Sequence, residues 1–336
     1  MSQSIDIAVV GASGAVGGAL VELLEERQFP VGKLHLLASE ASAGQSVPFK
    51  GRNLRVGSIA GFDFAQVGLA FFAAGEAVTR QYASAAQAAG CSVIDLSGGL
   101  PLDQAPRVVA EVNPQVLKTM QPPYLFASPT SAATALAVVL APLRPLLDWQ
   151  RLSITACLPV SSQGREGVAE LARQTAELLN ARPLEPRFFD RQVAFNLLGL
   201  VGAVGTDGHA QVERRLIEDL RQVLDAPVLK VAATCVLVPV FFGDSLSVSV
   251  QAAKPIDLHA VQAALEGAAS VEVLEKDEYP TVITDAIGQD LVFVGRARNG
   301  VDDPTELNLW IVSDNVRKGA AHNAVQLAEL LIKHRP

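Results

Sequence analysis

Basic residues, cysteines and long apolar runs are all scarce in this sequence of 336 residues. Lys and Arg number 27 against 35 Asp and Glu, a formal net charge of −8 with no basic patch, which argues against a nucleic-acid or anionic-membrane partner. No apolar run approaches the roughly 18 residues of a membrane-spanning helix. The cysteines, Cys91, Cys157 and Cys235, are odd in number and lie in apolar surroundings, which predicts buried thiols in a reducing compartment and not a disulfide framework.

The first segment, MSQSIDIAVVGASG, carries no basic leader or cleavage site before its predicted strand. The five histidines are scattered without the spacing of metal ligands, so no metal site is predicted. Apolar residues make up 49% of the sequence, which is enough for a large core, and the length suggests two domains. We therefore expect a cytoplasmic globular protein.

Short apolar strands alternate with helices over the first 130 residues. Strands are predicted at 5–10, 34–39, 68–74 and 91–97, and helices at 11–27 and 76–90. The second of these helices is amphipathic and is closed by Gly90. Strands connected through helices pack as right-handed βαβ units, so this part predicts an α/β fold with a Rossmann-like parallel sheet.

Longer, β-rich segments dominate the remainder. Strands are predicted at 151–162, 229–242, 244–255, 291–298 and 306–314, and helices at 165–180, 209–224 and 259–267. This mixture predicts an α+β domain with a large mixed or antiparallel sheet. The final helix, 316–334, is long enough to return and pack on the first domain, so we expect one domain of 1–130 plus 316–336 and another of 131–315.

A glycine-rich turn follows the first strand and opens a helix. Gly11, Gly14 and Gly17 have the spacing G-x-x-G-x-x-G, which differs from the usual G-x-G-x-x-G of dinucleotide-binding turns. Such glycines let the backbone approach a pyrophosphate. The amides that can face its oxygens are those of Ser13, Gly14, Ala15 and Val16. An ordinary tight turn between strand and helix is the alternative interpretation.

The segment after the second strand, LASEASAGQ (37–45), is where a dinucleotide domain reads the adenosine ribose. It contains Glu40, which can accept a hydrogen bond from a ribose hydroxyl, but no Arg or Lys. A 2′-phosphate would therefore find no cation nearby, and the local sequence favours NAD over NADP.

Eight motifs then fall in order along the chain: VVGASGAVG, LASEASAGQ, AEVNP, VSSQGREGVAEL, AFNLL, TCVLVPVFFGDS, VGRAR and SDNVRKGAAHNAVQLAELL. Together they resemble bacterial aspartate-semialdehyde dehydrogenase over nearly the whole chain, as a divergent, Usg-like branch. The resemblance implies a Rossmann domain, a catalytic and dimerisation domain, and a homodimer. It also implies NADP-dependent reductive dephosphorylation of β-aspartyl phosphate, run in either direction, in amino-acid biosynthesis.

The chemistry of that family needs a cysteine thiolate, a histidine, a glutamine that orients the acyl-enzyme and an arginine that holds the substrate carboxylate. By resemblance, the nucleophile position is Ser131, in SPTSAA, and the histidine position is Asp244, in FFGDS. The glutamine position is Leu158 and the arginine position is Leu237. None of the four chemical groups is retained.

Other family positions are lost or only loosely kept. The phosphate-binding arginine falls near Pro101, and the arginine and lysine of the cofactor segment fall at Ala41 and Gln45. Arg215 and Asp219 roughly preserve a basic and an acidic substrate contact. The resemblance adds further cofactor-binding positions to the glycine turn and Glu40, namely Ser39, Gly75, Ser161 and Asn315.

These substitutions predict that the family reaction is absent or very slow. A serine hydroxyl is scarcely ionised at neutral pH, and Asp244 can activate Ser131 only if burial raises the pKa of its carboxyl. Ser131 is interpreted as a helix cap, Cys157 as a core thiol and His209 as a solvated residue at a helix start. Two alternatives remain: a dehydrogenase with a more apolar substrate, and an interaction module that binds no cofactor.

Overall fold

The computed structural model describes residues 4–333, and the chain divides into two compact units. One unit is Met1–Thr130 with Ala320–Pro336, and the other is Ser131–Gly319. The returning segment therefore joins the first unit at residue 320, where the sequence predicted 316. No helix within residues 4–333 is both long enough and apolar enough to cross a membrane.

The strands and helices are named here in chain order. The strands are β1 (Ile5–Val10), β2 (Val31–Ala38), β3 (Ser46–Phe49), β4 (Arg52–Arg55), β5 (Gly57–Ser58), β6 (Leu69–Phe72), β7 (Ser92–Asp95), β8 (Leu125–Ala127), β9 (Trp149–Leu158), β10 (Lys230–Leu237), β11 (Asp244–Ala252), β12 (Val271–Val273), β13 (Val292–Asn299) and β14 (Glu306–Ser313). The α-helices are α1 (Ala15–Glu26), α2 (Glu76–Ala88), α3 (Ser131–Leu140), α4 (Gly164–Leu179), α5 (Gln211–Val223), α6 (Leu258–Glu266) and α7 (Asn323–Lys333).

The first unit is built on a parallel sheet of six strands in the order β5-β2-β1-β6-β7-β8. Alternate residues of β1 enter different cores: Ile7 and Val9 pack with α1 and α7, and Ala8 and Val10 pack on the other face. A sheet buried on both faces requires apolar residues at every position, which explains the continuous run IDIAVV. The predicted Rossmann-like sheet is confirmed.

A hairpin of β3 and β4 lies between β2 and β5 in the sequence and forms a separate two-stranded sheet, while β2 and β5 pair with each other. Its two turn residues, Lys50 and Gly51, both have positive φ values, +48° and +72°, as a two-residue turn of the mirror-image type requires. Sequence analysis did not predict the hairpin, because each of its strands has only four residues.

The second unit contains a six-stranded mixed sheet in the order β10-β9-β11-β14-β13-β12. The pairs β9–β10 and β12–β13 are parallel and the other pairs are antiparallel, so the predicted mixed sheet is confirmed. Helix α3 packs on one face of this sheet, against β11, β13 and β14, and every residue from Ala132 to Leu140 is buried.

Two predicted segments end earlier than their apolar runs suggest. Strand β9 stops before Pro159 and β10 stops before the segment that contains Pro239. Proline has no amide hydrogen to donate to a sheet, so a strand that continued through either position would lose a hydrogen bond. The last helix begins with π-helical geometry at Arg317–His322, and its α-helical part is α7; His334, which we expected it to include, lies outside the described residues.

Candidate functional site

Ser131 is the first helical residue of α3, so Thr130 takes the cap position and the interpretation of Ser131 as the cap is wrong. The Ser131 hydroxyl approaches the carboxyl group of Asp244, the first residue of β11. The structure therefore brings together the residues at the predicted nucleophile and proton-shuttle positions.

Asp244 is completely buried, and no hydrogen bond with good geometry reaches either of its carboxyl oxygens within residues 4–333. The pKa of this carboxyl is raised to about 7, mainly by burial. The approach of the Ser131 hydroxyl opposes the shift, and the nearby Asp314 carboxylate adds to it. A carboxyl group with such a pKa is protonated in a large part of the molecules at neutral pH.

Three of the substituted positions lie in one row across the sheet. Leu237 on β10 is the register partner of Leu158 on β9. On β11 and β9, Ser245 is paired with Cys157, so the next residues along the two strands, Asp244 and Leu158, lie opposite each other. On its other side, Asp244 is paired with Ser313 on β14. Their side chains point to the same face of the sheet, because residues paired across strands share a face.

The two leucines make this row apolar at one end. Leu158 and Leu237 are 5% and 2% exposed. The backbone of Leu237 is also paired with Leu198, through hydrogen bonds of 3.0 and 2.9 Å in the two directions. No hydrogen-bonding side chain occupies the two positions where the resemblance implies a glutamine and an arginine.

Asn315 connects the loop after β9 to the residue that precedes Asp244. Its Oδ1 accepts a hydrogen bond from the Gly243 amide at 2.8 Å, and its Nδ2 donates one to Ser161 Oγ at 3.1 Å. Ser161 and Asn315 were both predicted cofactor positions, and the structure brings them together.

Asp314 and Gly319 are site residues that sequence analysis missed. Asp314 Oδ1 accepts from the amides of Val316 and Arg317, at 2.8 and 2.9 Å, and Oδ2 accepts from the Gly288 amide at 2.8 Å. A Cβ atom on Gly319 would lie 2.5 Å from Cβ of Ser131, so only glycine permits this close approach. Both residues belong to the SDNVRKGA motif. It begins the longest of the eight family-like segments, and that length was the available signal that its residues belong to the site.

The basic and acidic positions on α5 contact each other. Arg215 Nε lies 3.9 Å from Asp219 Oδ2, and the side chain of Asp219 is 1% exposed. The aspartate is therefore directed into the protein. His209 precedes the helix, its side chain is 55% exposed, and its Nδ1 lies 3.8 Å from Glu213 Oε2.

None of the three thiols can easily replace the missing nucleophile. Burial raises the pKa of Cys235 to about 12, with Glu213 and Asp244 adding to the shift, and burial raises the pKa of Cys91 to about 12. Burial also raises the pKa of Cys157, which points away from Leu158 and is only half-buried, so its interpretation as a core thiol is wrong. Residues 4–333 contain no group of three His, Cys, Asp or Glu side chains that could hold a metal ion.

In the first unit, the glycine turn has the geometry that close backbone approach requires. Gly11 has a φ of +88°, and a Cβ atom there would lie 2.7 Å from the Ala73 carbonyl carbon. A Cβ atom on Gly17 would lie 2.1 Å from the Gly11 oxygen. These are the roles of glycines in a pyrophosphate-binding turn, so the residues present fit a dinucleotide.

One predicted amide contact is wrong. The Gly14 amide donates to the Gly11 oxygen at 2.9 Å within the turn, so it does not face a pyrophosphate. Ser13 precedes α1, and Ala15 and Val16 form the start of its first turn, where amides have no partner inside the helix. These three amides remain candidates.

Glu40 and Gly75 lie at the same edge of the parallel sheet as the glycine turn. Ser39 and Glu40 directly follow β2, and Gly75 precedes the first residue of α2 after β6. The Leu37 oxygen at the end of β2 accepts from the amide of Gly11 at 2.7 Å. The carboxyl ends of parallel strands are where nucleotides bind in such sheets.

The expectation that no cation lies near segment 37–45 is wrong. Arg55, at the end of β4, places its Nη2 atom 3.8 Å from the position that a Cβ atom of Gly44 would occupy. Nothing in the local sequence signalled this contact, because it depends on the unpredicted hairpin.

Comparisons with known proteins agree with the two-unit division. Residues 6–120 match the family model of the semialdehyde dehydrogenase NAD-binding domain, and residues 140–318 match that of the semialdehyde dehydrogenase dimerisation domain. The chain is 70% identical to a USG-1 protein homolog of Azotobacter vinelandii and 40% identical to aspartate-semialdehyde dehydrogenase 2 of Vibrio cholerae, with 99% of each chain covered in both comparisons. A solved structure of a probable aspartate-semialdehyde dehydrogenase from Pseudomonas aeruginosa is 57% identical, with a TM-score of 0.97 and 99% of each chain covered.

Proposed function

This chain belongs to the aspartate-semialdehyde dehydrogenase family, and from that premise we propose that it binds a nicotinamide dinucleotide but does not catalyse the family reaction at an appreciable rate. The observation that carries the proposal is the contact of Ser131 with the fully buried Asp244 at the nucleophile and proton-shuttle positions. The first part of the proposal concerns the N-terminal unit and the second concerns the row of substituted residues.

The missing nucleophile is the main argument against the family reaction. That reaction passes through an acyl-thioester, and a serine hydroxyl forms the corresponding ester only with the help of a base. Asp244 has the raised pKa that a base needs, but it is 0% exposed, and no histidine of residues 4–333 is among the groups that shift its pKa, so none is placed to carry the proton onward. The three thiols of the chain have raised pKa values, so none supplies a thiolate instead.

The missing substrate contacts are a second argument. A substrate carboxylate bound beside Leu158 and Leu237 would be buried without a partner, which costs several kcal/mol or more. Arg215, the basic position that the resemblance roughly preserves, contacts Asp219 on its own helix. Precise placement of the substrate accounts for a large part of an enzyme's rate, so its loss lowers the rate independently of the nucleophile.

The dinucleotide part rests on the first unit. Its glycine turn has the close contacts of Gly11 and Gly17, and the match of residues 6–120 is to a domain described as NAD-binding. In the bound state, the amides at the start of α1 would hold the pyrophosphate, and the residues after β2 would hold the adenosine ribose. The dinucleotide would supply a hydride acceptor, which the side chains of the protein do not offer.

We further propose that the second unit forms a homodimer through the face of its sheet opposite α3. Thr234, Thr155 and Ser247 lie side by side on β10, β9 and β11, and all three are exposed. Small hydroxyl side chains let a second sheet approach closely, and a twofold axis would bring the same surface of another copy against this one. The match of residues 140–318 to a dimerisation domain supports a homodimer, and the proposed face is inferred from these three side chains alone.

Two measurements test the proposal. Calorimetric titration with NAD and NADP should give saturable binding, and assays with aspartate semialdehyde, phosphate and either dinucleotide should give no reduction of the dinucleotide. Steady turnover that Ser131→Ala abolishes would overturn the catalytic part. If neither dinucleotide binds, the cofactor part is wrong and a cofactor-free interaction module takes its place.

A second candidate is a dehydrogenase that acts on a more apolar aldehyde. It is favoured by the raised pKa of Asp244 beside Ser131 and by the apolar Leu158–Leu237 pair. In this case, aliphatic aldehydes would reduce a bound dinucleotide where aspartate semialdehyde does not, and Ser131→Ala and Asp244→Asn would each remove the activity.

A further inference from the structure

We propose that Arg55 holds the adenosine 2′-phosphate of NADP and makes this chain prefer NADP to NAD. The inference rests on the proposed dinucleotide site, and it concerns a residue outside the segment that normally makes this distinction. Segment 37–45 itself contains no Arg or Lys.

The β3–β4 hairpin returns the chain to the loop that follows β2. Arg55 is the register partner of Ser46, and the next residue, Val56, exchanges hydrogen bonds with the loop. The Gly44 amide donates to the Val56 oxygen at 2.8 Å, and the Val56 amide donates to the Gln45 oxygen at 2.8 Å. The backbone of Arg55 is therefore fixed next to this loop.

The alternation of the strand directs Arg55 toward solvent. Leu54 packs on the apolar core of the first unit, and neighbouring strand residues point to opposite faces. The Arg55 side chain reaches Gly44, and its Nη2 atom lies 3.8 Å from the position that a Cβ atom of Gly44 would occupy, which is an ordinary van der Waals distance. Gly44 has a φ of +93°, a conformation that favours glycine.

The guanidinium group is available to a ligand. Within residues 4–333, no hydrogen bond or ion pair engages the Arg55 side chain. An exposed guanidinium that no ion pair engages within residues 4–333 is well suited to an anionic ligand. The planar guanidinium group can donate two parallel hydrogen bonds to two oxygens of one phosphate.

The position of this loop identifies the anion. Glu40 and Gly44 belong to the loop at the carboxyl end of β2, where the adenosine ribose lies in dinucleotide-binding sheets. Strand β5, which follows Arg55, pairs with Leu37 and Ala38 at that end of β2. The Glu40 carboxylate favours a free ribose hydroxyl, but a charge-assisted pair between guanidinium and a phosphate dianion is stronger than a single carboxylate–hydroxyl bond.

The test is calorimetric titration of the full-length chain with NADP, NAD, 2′,5′-ADP and 5′-AMP, using the wild type, Arg55→Gln and Arg52→Gln. Arg52 is the matched control, because it is an exposed arginine at the other end of the same short strand. We expect the wild type to bind NADP at least about tenfold more tightly than NAD. Arg55→Gln should remove that preference by weakening NADP and 2′,5′-ADP while leaving NAD and 5′-AMP unchanged, and Arg52→Gln should behave as the wild type.

The outcomes separate this inference from the proposal on which it rests. If the wild type binds NAD as tightly as NADP, the proposed role of Arg55 is wrong and the dinucleotide site stands. The same holds if Arg55→Gln and Arg52→Gln change the affinities equally. If no dinucleotide binds the wild type, the proposed site is wrong and the inference is overturned with it.

Discussion

Asp244 and Ser313 face each other on β11 and β14, and no hydrogen bond reaches either side chain's oxygen atoms within residues 4–333. Buried polar groups without partners are uncommon, because each costs roughly 1–3 kcal/mol of folding free energy. A carboxyl group can lower this cost by remaining protonated, which agrees with the raised pKa of Asp244. The position that resembles a proton shuttle thus holds a buried acid whose charge is suppressed.

The first prediction is that Asp244 makes the protein less stable as the pH rises. Its carboxyl has a folded-state pKa of about 7 against an ordinary value of 3.8, so the folded state holds the proton more tightly than the unfolded state. The stabilising contribution is complete below about pH 4 and disappears as the pH passes 7, on the order of 4 kcal/mol in total. The free energy of unfolding, measured with denaturant between pH 4 and 8, should fall with rising pH in the wild type relative to Asp244→Asn.

The matched control for that experiment is Asp302→Asn, which changes an exposed carboxylate. It should leave the pH dependence of the wild type intact. A constant difference between wild type and Asp244→Asn across the whole range would mean that the carboxyl is already charged in the folded protein.

The second prediction separates two adjacent glycines in α1. Gly17→Ala should lower the free energy of unfolding by roughly 2 kcal/mol and weaken dinucleotide binding, because the new Cβ would lie 2.1 Å from the Gly11 oxygen. Gly18 has nothing within 4 Å of its Cβ position, so Gly18→Ala should stabilise the helix by about 1 kcal/mol. Thermal unfolding and calorimetric titration of both variants check the opposite signs; equal effects would show that the turn does not constrain Gly17.

Much of the fold could be predicted from periodicity. The runs IDIAVV and LHLLAS became β1 and β2 because a parallel sheet buried on both faces needs uninterrupted apolar residues, a pattern that is visible in the sequence. The β3–β4 hairpin was missed because its strands are four residues each, too short for a clear alternation of buried and exposed side chains. Its consequence, the approach of Arg55 to Gly44, was therefore invisible as well.

The candidate site was predictable as a set of positions but not as an arrangement. Motif resemblance singled out Leu158, Leu237 and Asp244 separately, whereas strand register places them in one row across three neighbouring strands. Register depends on pairings between segments up to about ninety residues apart, which no local pattern encodes. The same register places Ser313 opposite Asp244.

The third prediction concerns the open face of the second sheet. Thr155→Arg should convert a dimer into a monomer, because a twofold axis would bring the two new charges close together and the spacing of packed sheets is only about 10 Å. Thr119→Arg introduces the same side chain at an exposed position in the first unit and should leave the dimer intact. Sedimentation velocity measures both masses; a dimer of Thr155→Arg as stable as the wild type would exclude this face.

The fourth prediction is that restoring the nucleophile and the shuttle does not restore activity. Ser131→Cys with Asp244→His places a thiol at the first residue of α3 and an imidazole beside it, but Leu158 and Leu237 still offer no hydrogen bond to the substrate. Adding Leu158→Gln and Leu237→Arg should raise kcat/KM by at least about a hundredfold over the double variant, since orientation and a carboxylate contact are then supplied. If the double variant showed substantial phosphate-dependent turnover, the apolar row would not be what prevents the reaction. Circular dichroism of both variants checks that the buried substitutions leave the protein folded.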